Sequence, residues 1–247
     1  MSGFEHIKLV RHQGVLQIGF NRPEKRNAFT AAMYNGIRQA IEAADKDPEI
    51  KAILFYGTAE SFSSGNDLDE FNQRNPDEPS AGSQMLLSLH QLSKPLVAAV
   101  SGMAVGIGAT MLLHCDLVFA ARDTRFRLPF VNLGLCPEAG SSLLLPEVAG
   151  HRLAAEVLLL GDFFTPEKAQ SLGMVNQVLP ADQLMDHALQ ICAQLASKPV
   201  QALIETKGLL KQSTQQPVTE RMKQEFQLFR KMLMSDESKA IRNKLKK

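Results

Sequence analysis

Leu96-Val97-Ala98-Ala99-Val100-Ser101-Gly102-Met103-Ala104-Val105-Gly106-Ile107-Gly108 runs from an unbroken apolar stretch into a glycine-rich loop, and an apolar helical stretch through Met111 to Leu113 follows. A short apolar run bounded by turn residues predicts a buried strand. Leu117 to Ala120 is the next such run and Ala52 to Tyr56 an earlier one. Between strands the period changes: from Thr30, an N-cap, Met33, Ile37, Ala40, Ile41 and Ala44 recur at helical spacing until Asp47-Pro48 ends the pattern. Strand, glycine or proline loop, then helix, repeated along the chain, predicts an α/β fold. Outward from this centre, Ile7 to Val10 and Val15 to Phe20 flank Gly14 as a hairpin, and Asn72 to Gly82 reads as a polar surface loop. After Pro180 the pattern is helical. Its last stretch, Val218 to Lys247, carries an apolar stripe of Met222, Phe226, Phe229, Met232 and Leu233, to be buried in its own core or against a neighbouring subunit.

The bulk properties narrow the function. A chain of 247 residues, 45% hydrophobic and 21% charged, supports one large packed domain, with or without a small appendage. Lys and Arg number 27 against 26 Asp and Glu, so no global positive field exists to hold a nucleic-acid backbone or an anionic membrane. Cys115, Cys136 and Cys192 are odd in number and lack paired spacing, which fits reduced thiols rather than a disulfide or metal framework. Residues 1 to 10 resemble neither a signal nor a transit peptide, no run is long enough to span a membrane, and the terminal Asn243-Lys244-Leu245-Lys246-Lys247 lacks a peroxisomal address. A cytoplasmic location is the expectation.

Three segments carry chemistry. In Phe62-Ser63-Ser64-Gly65-Asn66-Asp67-Leu68, small residues around Gly65 let a ligand approach the backbone, although a simple turn explains the same pattern. In Ser101 to Gly108, the first amides of a helix suit an anion or a developing oxyanion, although tight strand–helix packing explains the glycines equally. The spacing of Gly102, Gly106 and Gly108 is not a dinucleotide fingerprint, and the Lys and Ser/Thr of a phosphate loop are absent. In Leu135-Cys136-Pro137-Glu138-Ala139-Gly140-Ser141-Ser142, a carboxylate among apolar neighbours is suited to proton transfer; the alternative is an exposed glutamate at a helix start.

Taken together and in this order, the three segments resemble the enoyl-CoA hydratase/isomerase, or crotonase, superfamily over nearly the whole chain. Further matches are Asn21-Arg22-Pro23-Glu24-Lys25-Arg26-Asn27-Ala28, Lys94-Pro95-Leu96-Val97-Ala98-Ala99-Val100-Ser101-Gly102 and Leu172-Gly173-Met174-Val175-Asn176. The resemblance implies a spiral of ββα units over residues 1–198 and a C-terminal helical oligomerisation region over 199–247. It implies an acyl-CoA thioester as partner, no metal, no cofactor beyond the CoA of the substrate, and a homotrimer or hexamer.

Carried over residue by residue, the resemblance assigns an oxyanion hole to the amides of Asn66, after Gly65, and Ile107, between Gly106 and Gly108. Lys25, Arg26 and Ala28 match the region lining the CoA nucleotide and pantetheine, with backbone contacts to adenine from Ser64, Gly65, Asn66, Asp67 and Leu68. Hydratases of the family use two glutamates, and alignment through Cys115-Asp116 places Thr110 and Phe130 at those positions, where neither acts as a carboxylate base. The Glu138 segment and Val105-Gly106-Ile107 resemble peroxisomal-type 3,2-enoyl-CoA isomerases instead, in which a glutamate at this place is the sole base. The implied reaction moves a 3-enoyl double bond to the conjugated 2-position. The alternatives are another crotonase reaction, hydration or thioester hydrolysis, and a non-catalytic acyl-CoA-binding protein. His114, Cys115 and Asp116 lack metal spacing, and His90 and His151 read as surface or packing residues. Ser141 and Ser142, without a histidine base, begin the following helix or orient Glu138. Met85, Leu86, Met111 and the polar loop are expected to set the depth of the acyl pocket.

Overall fold

The computed structural model describes residues 4–73 and 78–244. The hairpin is β1 (Ile7–His12) and β2 (Val15–Phe20), followed by α1 (Ala31–Lys46), β3 (Ala52–Tyr56), β4 (Ser61–Ser63), α2 (Leu68–Gln73) and α3 (Ala81–Gln91). Then come β5 (Leu96–Val100), β6 (Met103–Val105), α4 (Ile107–Thr110), β7 (Leu117–Ala121), β8 (Arg125–Arg127), α5 (Ser141–Ala149) and α6 (His151–Leu160). The chain continues through β9 (Phe163–Phe164), α7 (Pro166–Ser171), β10 (Gln177–Leu179), α8 (Ala181–Ala196), α9 (Val200–Lys211), α10 (Gln215–Leu233) and α11 (Asp236–Lys244).

One sheet has the order β1-β2-β3-β5-β7-β10, parallel apart from the β1–β2 hairpin; the second has the order β4-β6-β8-β9. Successive strands β3 and β4, β5 and β6, and β7 and β8 each place one member in the first sheet and one in the second, so the chain climbs as a spiral of ββα units. The step between sheets is sharp. At Gly102, φ is +66° and a Cβ would collide with the Glu60 carbonyl, so only glycine makes the β5–β6 corner.

Strand β3 is apolar throughout because both its faces are covered. Ile53 and Phe55 join the main core with the buried face of α1 (Met33, Ile37, Ile41), while Leu54 packs with Val97, Phe119 and the α8 residues Leu184, Ala188 and Cys192. Phe20 meets Phe29 and Phe62 edge-on, with centroids 4.9 and 5.1 Å apart. Burial of each such ring contributes on the order of 1.5–3 kcal/mol, and Phe62 thereby anchors the strand that leads into Gly65. Thr30 caps α1 as expected, its side chain accepting from the Met33 amide.

Three local expectations change. The stretch after Gly106 is one short α-helical turn followed by a 3-10 turn from Met111 to His114, not a regular helix. The polar stretch 72–82 ends in the start of α3, with Ser80 as its N-cap; residues 74–77 of it and the terminal 245–247 lie outside the described residues. The C-terminal stretch is divided between α10 and α11 by a break at Met234 and Ser235; the stripe lies within α10, and Val218, Met222, Phe229 and Leu233 enter the main core.

Candidate active site

The first segment is held by its neighbour in space, residues 22–29. Asn27, fully buried, donates from Nδ2 to the Ser61 carbonyl (2.7 Å) and accepts at Oδ1 from the Arg22 amide (2.7 Å). The Ser63 hydroxyl donates to the Asn27 carbonyl (2.8 Å), and the Ser64 amide to the Arg26 carbonyl (3.0 Å). Lys25 and Arg26 therefore meet this segment through their backbones, while their side chains are exposed and Ala28 is buried. Beyond Gly65, at φ +98°, the Phe29 amide bonds the Gly65 carbonyl and the Asp67 amide bonds the Phe29 carbonyl. That bridge consumes the groups on either side of the Asn66 amide. The Asn66 side chain is fixed separately, its Oδ1 accepting from the Tyr34 hydroxyl at 2.8 Å.

Asp67 is structural in this geometry. It pairs with Arg22 (2.7 Å) and accepts the amides of Asp69 and Glu70. Burial pushes its pKa up, but the guanidinium and the two amides outweigh it and hold the carboxyl below the usual range. Leu68, next along, is exposed.

In the second segment Gly106, at φ +55°, spends its own amide on the Arg127 carbonyl (2.9 Å), and its carbonyl receives the amides of Ala109 and Thr110. Ile107 is the first residue of α4, so its amide has no partner within the helix. Neither the Asn66 nor the Ile107 amide has a hydrogen-bond acceptor among the described residues. Gly108 brings the two segments together: a Cβ there would stand 2.8 Å from the Ser63 carbonyl and Cβ.

Glu138 lies in the turn before α5 and is 8% exposed. The Thr110 hydroxyl reaches its Oε1 at 3.3 Å, and its carbonyl accepts from the Ser141 amide and hydroxyl at 3.1 and 2.6 Å. Ala139 (φ +62°) and Gly140 (φ +70°) are both left-handed. His114, fully enclosed and held neutral with its pKa near 3 by burial, donates from Nε2 to the Ala139 carbonyl at 2.8 Å. Glu225 of α10 accepts from the Gly140 amide, the Ser142 amide and the Ser142 hydroxyl. Sequence reasoning passed over Glu225 as one charge among many on a C-terminal helix; only its place in the apolar stripe marked it.

Two cavities meet at these segments. One, of about 180 Å³, is walled by Asn66, Ile107, Glu138, Leu87, Phe226 and Phe229, with Ser80, Ser83 and Gln84 forming a polar stripe of α3 and its cap. The other, of about 320 Å³, runs past Ser64, Gly65, Leu68, Val105, Gly106 and Phe130. They share Asn66, Ile107 and Phe229. Met85, Leu86 and Met111, expected to set the pocket's depth, are fully buried and belong to the main core, and the walls of the two cavities are formed by other residues. Phe130 sits on the second cavity's wall, and Thr110 touches Glu138 rather than carrying a carboxylate of its own. Among the described residues that line the two cavities, Glu138 alone is acidic. Asn66, Ile107 and Glu138 line the same cavity.

His114, Cys115 and Asp116 turn to different partners. Asp116 accepts from Lys207 (2.7 Å) and the Leu96 amide, and burial raises the Cys115 thiol to about 12. His90 is buried rather than superficial, facing the Gln215 carbonyl at 2.9 Å. The Lys211 ammonium is enclosed without a hydrogen-bond partner among the described residues, and desolvation and Lys207 lower its pKa to about 8. Among the described residues no metal-binding group of three occurs, and no helix is long and apolar enough to cross a membrane.

The comparisons with known proteins agree with this architecture. Residues 10–245 match the model of the enoyl-CoA hydratase/isomerase family. A 2,3-dehydroadipyl-CoA hydratase of Escherichia coli K12 is 36% identical over 225 residues, covering 89% of this chain and 87% of the relative. The human enoyl-CoA delta isomerase 2 is 32% identical over 244 residues, 96% of this chain and 62% of that protein. The crystal structure of an enoyl-CoA hydratase/isomerase from Pseudoalteromonas atlantica T6c superposes with a TM-score of 0.93 at 34% identity, covering 98% of this chain and 96% of the other. Spiral, cavity-lining segments and sequence matches along nearly the full length thus agree, and the chain belongs to the enoyl-CoA hydratase/isomerase family.

Proposed function

We propose that this protein is an enoyl-CoA isomerase that shifts the double bond of a 3-enoyl-CoA to the conjugated 2-position. The supporting observation is that Glu138, the one acidic side chain among the described residues lining the two cavities, shares a cavity wall with Asn66 and Ile107. The thioester carbonyl oxygen accepts from both amides, with the acyl chain in the cavity beside Glu138 and the CoA arm in the cavity past Gly65 and Gly106. The Glu138 carboxylate takes a proton from C2. The electron pair delocalises through C3 and C4 as a dienolate, whose charge collects on the thioester oxygen. Each preorganised amide stabilises that charge by about 3 kcal/mol relative to its absence. Glu138 then returns a proton to C4, leaving the double bond between C2 and C3, with no water added and no cofactor consumed. One carboxylate serves both steps, so the absence of acids at Thr110 and Phe130 is no obstacle.

The Escherichia coli relative is a hydratase, which keeps hydration as a second reading, and the polar Ser80, Ser83 and Gln84 stripe is compatible with a bound water. Absorbance of the conjugated thioester separates the two. The isomerase reading expects its appearance from 3-enoyl-CoAs and a loss of about 10² to 10⁴ in turnover for Glu138→Gln with acyl-CoA affinity retained. Sustained formation of a 3-hydroxyacyl thioester from 2-enoyl-CoA, or normal turnover by Glu138→Gln, contradicts it. We also propose a homotrimer or hexamer, because α9 buries little beyond Lys207 and leaves Leu209 and Leu210 more than 70% exposed. A monomeric mass by light scattering at micromolar concentration argues against this assembly.

A further inference from the structure

The turn that carries Glu138 is strained backbone. Two consecutive residues, Ala139 and Gly140, hold left-handed angles of +62° and +70°, and Ala139 does so fully buried with a side chain. Such a conformation persists only where its surroundings over-determine it. On one side His114 grips the Ala139 carbonyl at 2.8 Å. On the other, Glu225 reaches in from α10: Oε2 accepts from the Gly140 amide at 2.6 Å, and Oε1 from the Ser142 amide at 3.0 Å and the Ser142 hydroxyl at 2.6 Å. Arg221, one turn earlier on α10, donates to the same hydroxyl at 3.2 Å.

Glu225 is 4% exposed. A carboxylate this deep is costly to bury, and packing alone would favour an apolar residue on the stripe formed by Val218, Met222, Phe229 and Leu233. Its two oxygens accept from three donors, the first of them two residues after Glu138. The adjacent α10 residues Phe226 and Phe229 wall the cavity into which Glu138 opens. One helix therefore sets both the cavity wall and the turn that aims the carboxyl group.

We propose that Glu225 is a positioning residue for the reaction: by holding the amides of Gly140 and Ser142 it fixes the Glu138 carboxylate against the acyl cavity. This rests on the reading of Glu138 as the base. The test is a double-mutant cycle of Glu138→Gln with Glu225→Gln and Glu225→Ala, assayed on a 3-enoyl-CoA, with Kd for a saturated acyl-CoA measured beside it. Misplacement of a reacting group by about 1 Å costs about 10²-fold. Glu225→Ala is accordingly expected to lower kcat by about that factor and Glu225→Gln, which keeps one well-placed acceptor, by about tenfold, with KM and Kd within about twofold. In the Glu138→Gln background neither change should slow the residual rate further, because Glu225 acts only through Glu138. An unchanged kcat, an affinity that falls in step with kcat, or an equal loss in the Glu138→Gln background overturns the proposal.

Hydrogen exchange of the 138–145 segment decides the clamp without any turnover. Glu225→Ala should accelerate exchange there at least about tenfold and leave β3 and β5 unchanged; no change there overturns the clamp. Glu225→Gln, equal in shape, carries both measurements if the alanine variant does not fold. Should the wild-type protein convert no 3-enoyl-CoA, the isomerase reading falls, and the exchange experiment still decides what Glu225 holds.

Discussion

The glycine-rich segments of Asn66 and Ile107 and the turn that carries Glu138 solve one problem, placing a polar group on a cavity wall, by opposite means. Around Asn66 and Ile107 the presented groups are main-chain amides, and glycines supply the shape: Gly65 at φ +98°, Gly106 at φ +55°, and Gly108 pressed against Ser63. Around Glu138 the presented group is a side chain, and other side chains supply the shape: His114, Ser141, Ser142 and Glu225. A main-chain donor survives replacement of its own side chain and is sensitive to any Cβ that wedges the strands apart. A side-chain acid is lost by a single substitution and misdirected by changes some distance away. The two regions should accordingly fail in different ways.

The largest contrast is expected within one segment. Gly108→Ala places a Cβ 2.8 Å from the Ser63 backbone, so α4 must move off β4; turnover should drop by about 10²-fold and stability by about 1–3 kcal/mol. Steady-state kinetics together with thermal unfolding check both. Next is the acid dependence of the turn. His114 keeps a pKa near 3 in the fold against about 6.5 when unfolded. Between those values the unfolded chain binds a proton that the native chain refuses, so stability falls on acidification, by at most about 1.4 kcal/mol per pH unit. His114→Gln keeps a donor for the Ala139 carbonyl and removes this group's titration; its Tm should fall less steeply than that of the wild type from pH 6.5 downward. An identical slope would show that His114 is not buried neutral.

Lys211 belongs to neither region by hydrogen bonding, although its charge adds to what keeps His114 neutral. Its ammonium is enclosed with a pKa near 8, lowered from an ordinary value of about 10.5. The cost of that buried charge is present in full below pH 8 and is relieved as pH rises toward 10.5, where the native state has already released its proton. Lys211→Met should therefore raise stability at pH 7 by about 1 kcal/mol, with the gain shrinking above pH 8, as thermal unfolding across pH would report. Smallest of all is Asn66→Ala. The amide remains, only the Tyr34 contact disappears, and kcat should change by less than about fivefold. A hundredfold loss would mean that the side chain, not the backbone, serves the substrate.

The difference between the regions also explains what the sequence disclosed. Strands β3, β5 and β7 were legible because burial on both faces writes an unbroken apolar run, and α1 because its cap and its 3.6-residue period coincide. Gly65, Gly106 and Gly108 were visible as glycines, but only the fold shows that their segments touch. Glu138 stood out among Leu, Cys, Pro and Ala. Its supports did not: Glu225 is 87 residues further on, and His114 lies beside Cys115 and Asp116, whose hydrogen bonds go to other partners. Long-range pairing leaves no local period. Pocket lining was not legible for a related reason: Met85 and Leu86 are buried in the core, and Ser80, Ser83, Gln84 and Leu87 stand at the cavity.

The most direct measurement follows a 3-enoyl-CoA in deuterated water by NMR, with wild-type protein and Glu138→Gln. A single carboxyl group moving a proton from C2 to C4 predicts the 2-enoyl thioester as product, hydrogen or deuterium newly placed at C4, no hydroxyl at C3, and loss of at least about 10² in rate for the variant. A 3-hydroxyacyl product, or C4 labelling that persists at the wild-type rate in Glu138→Gln, would contradict it.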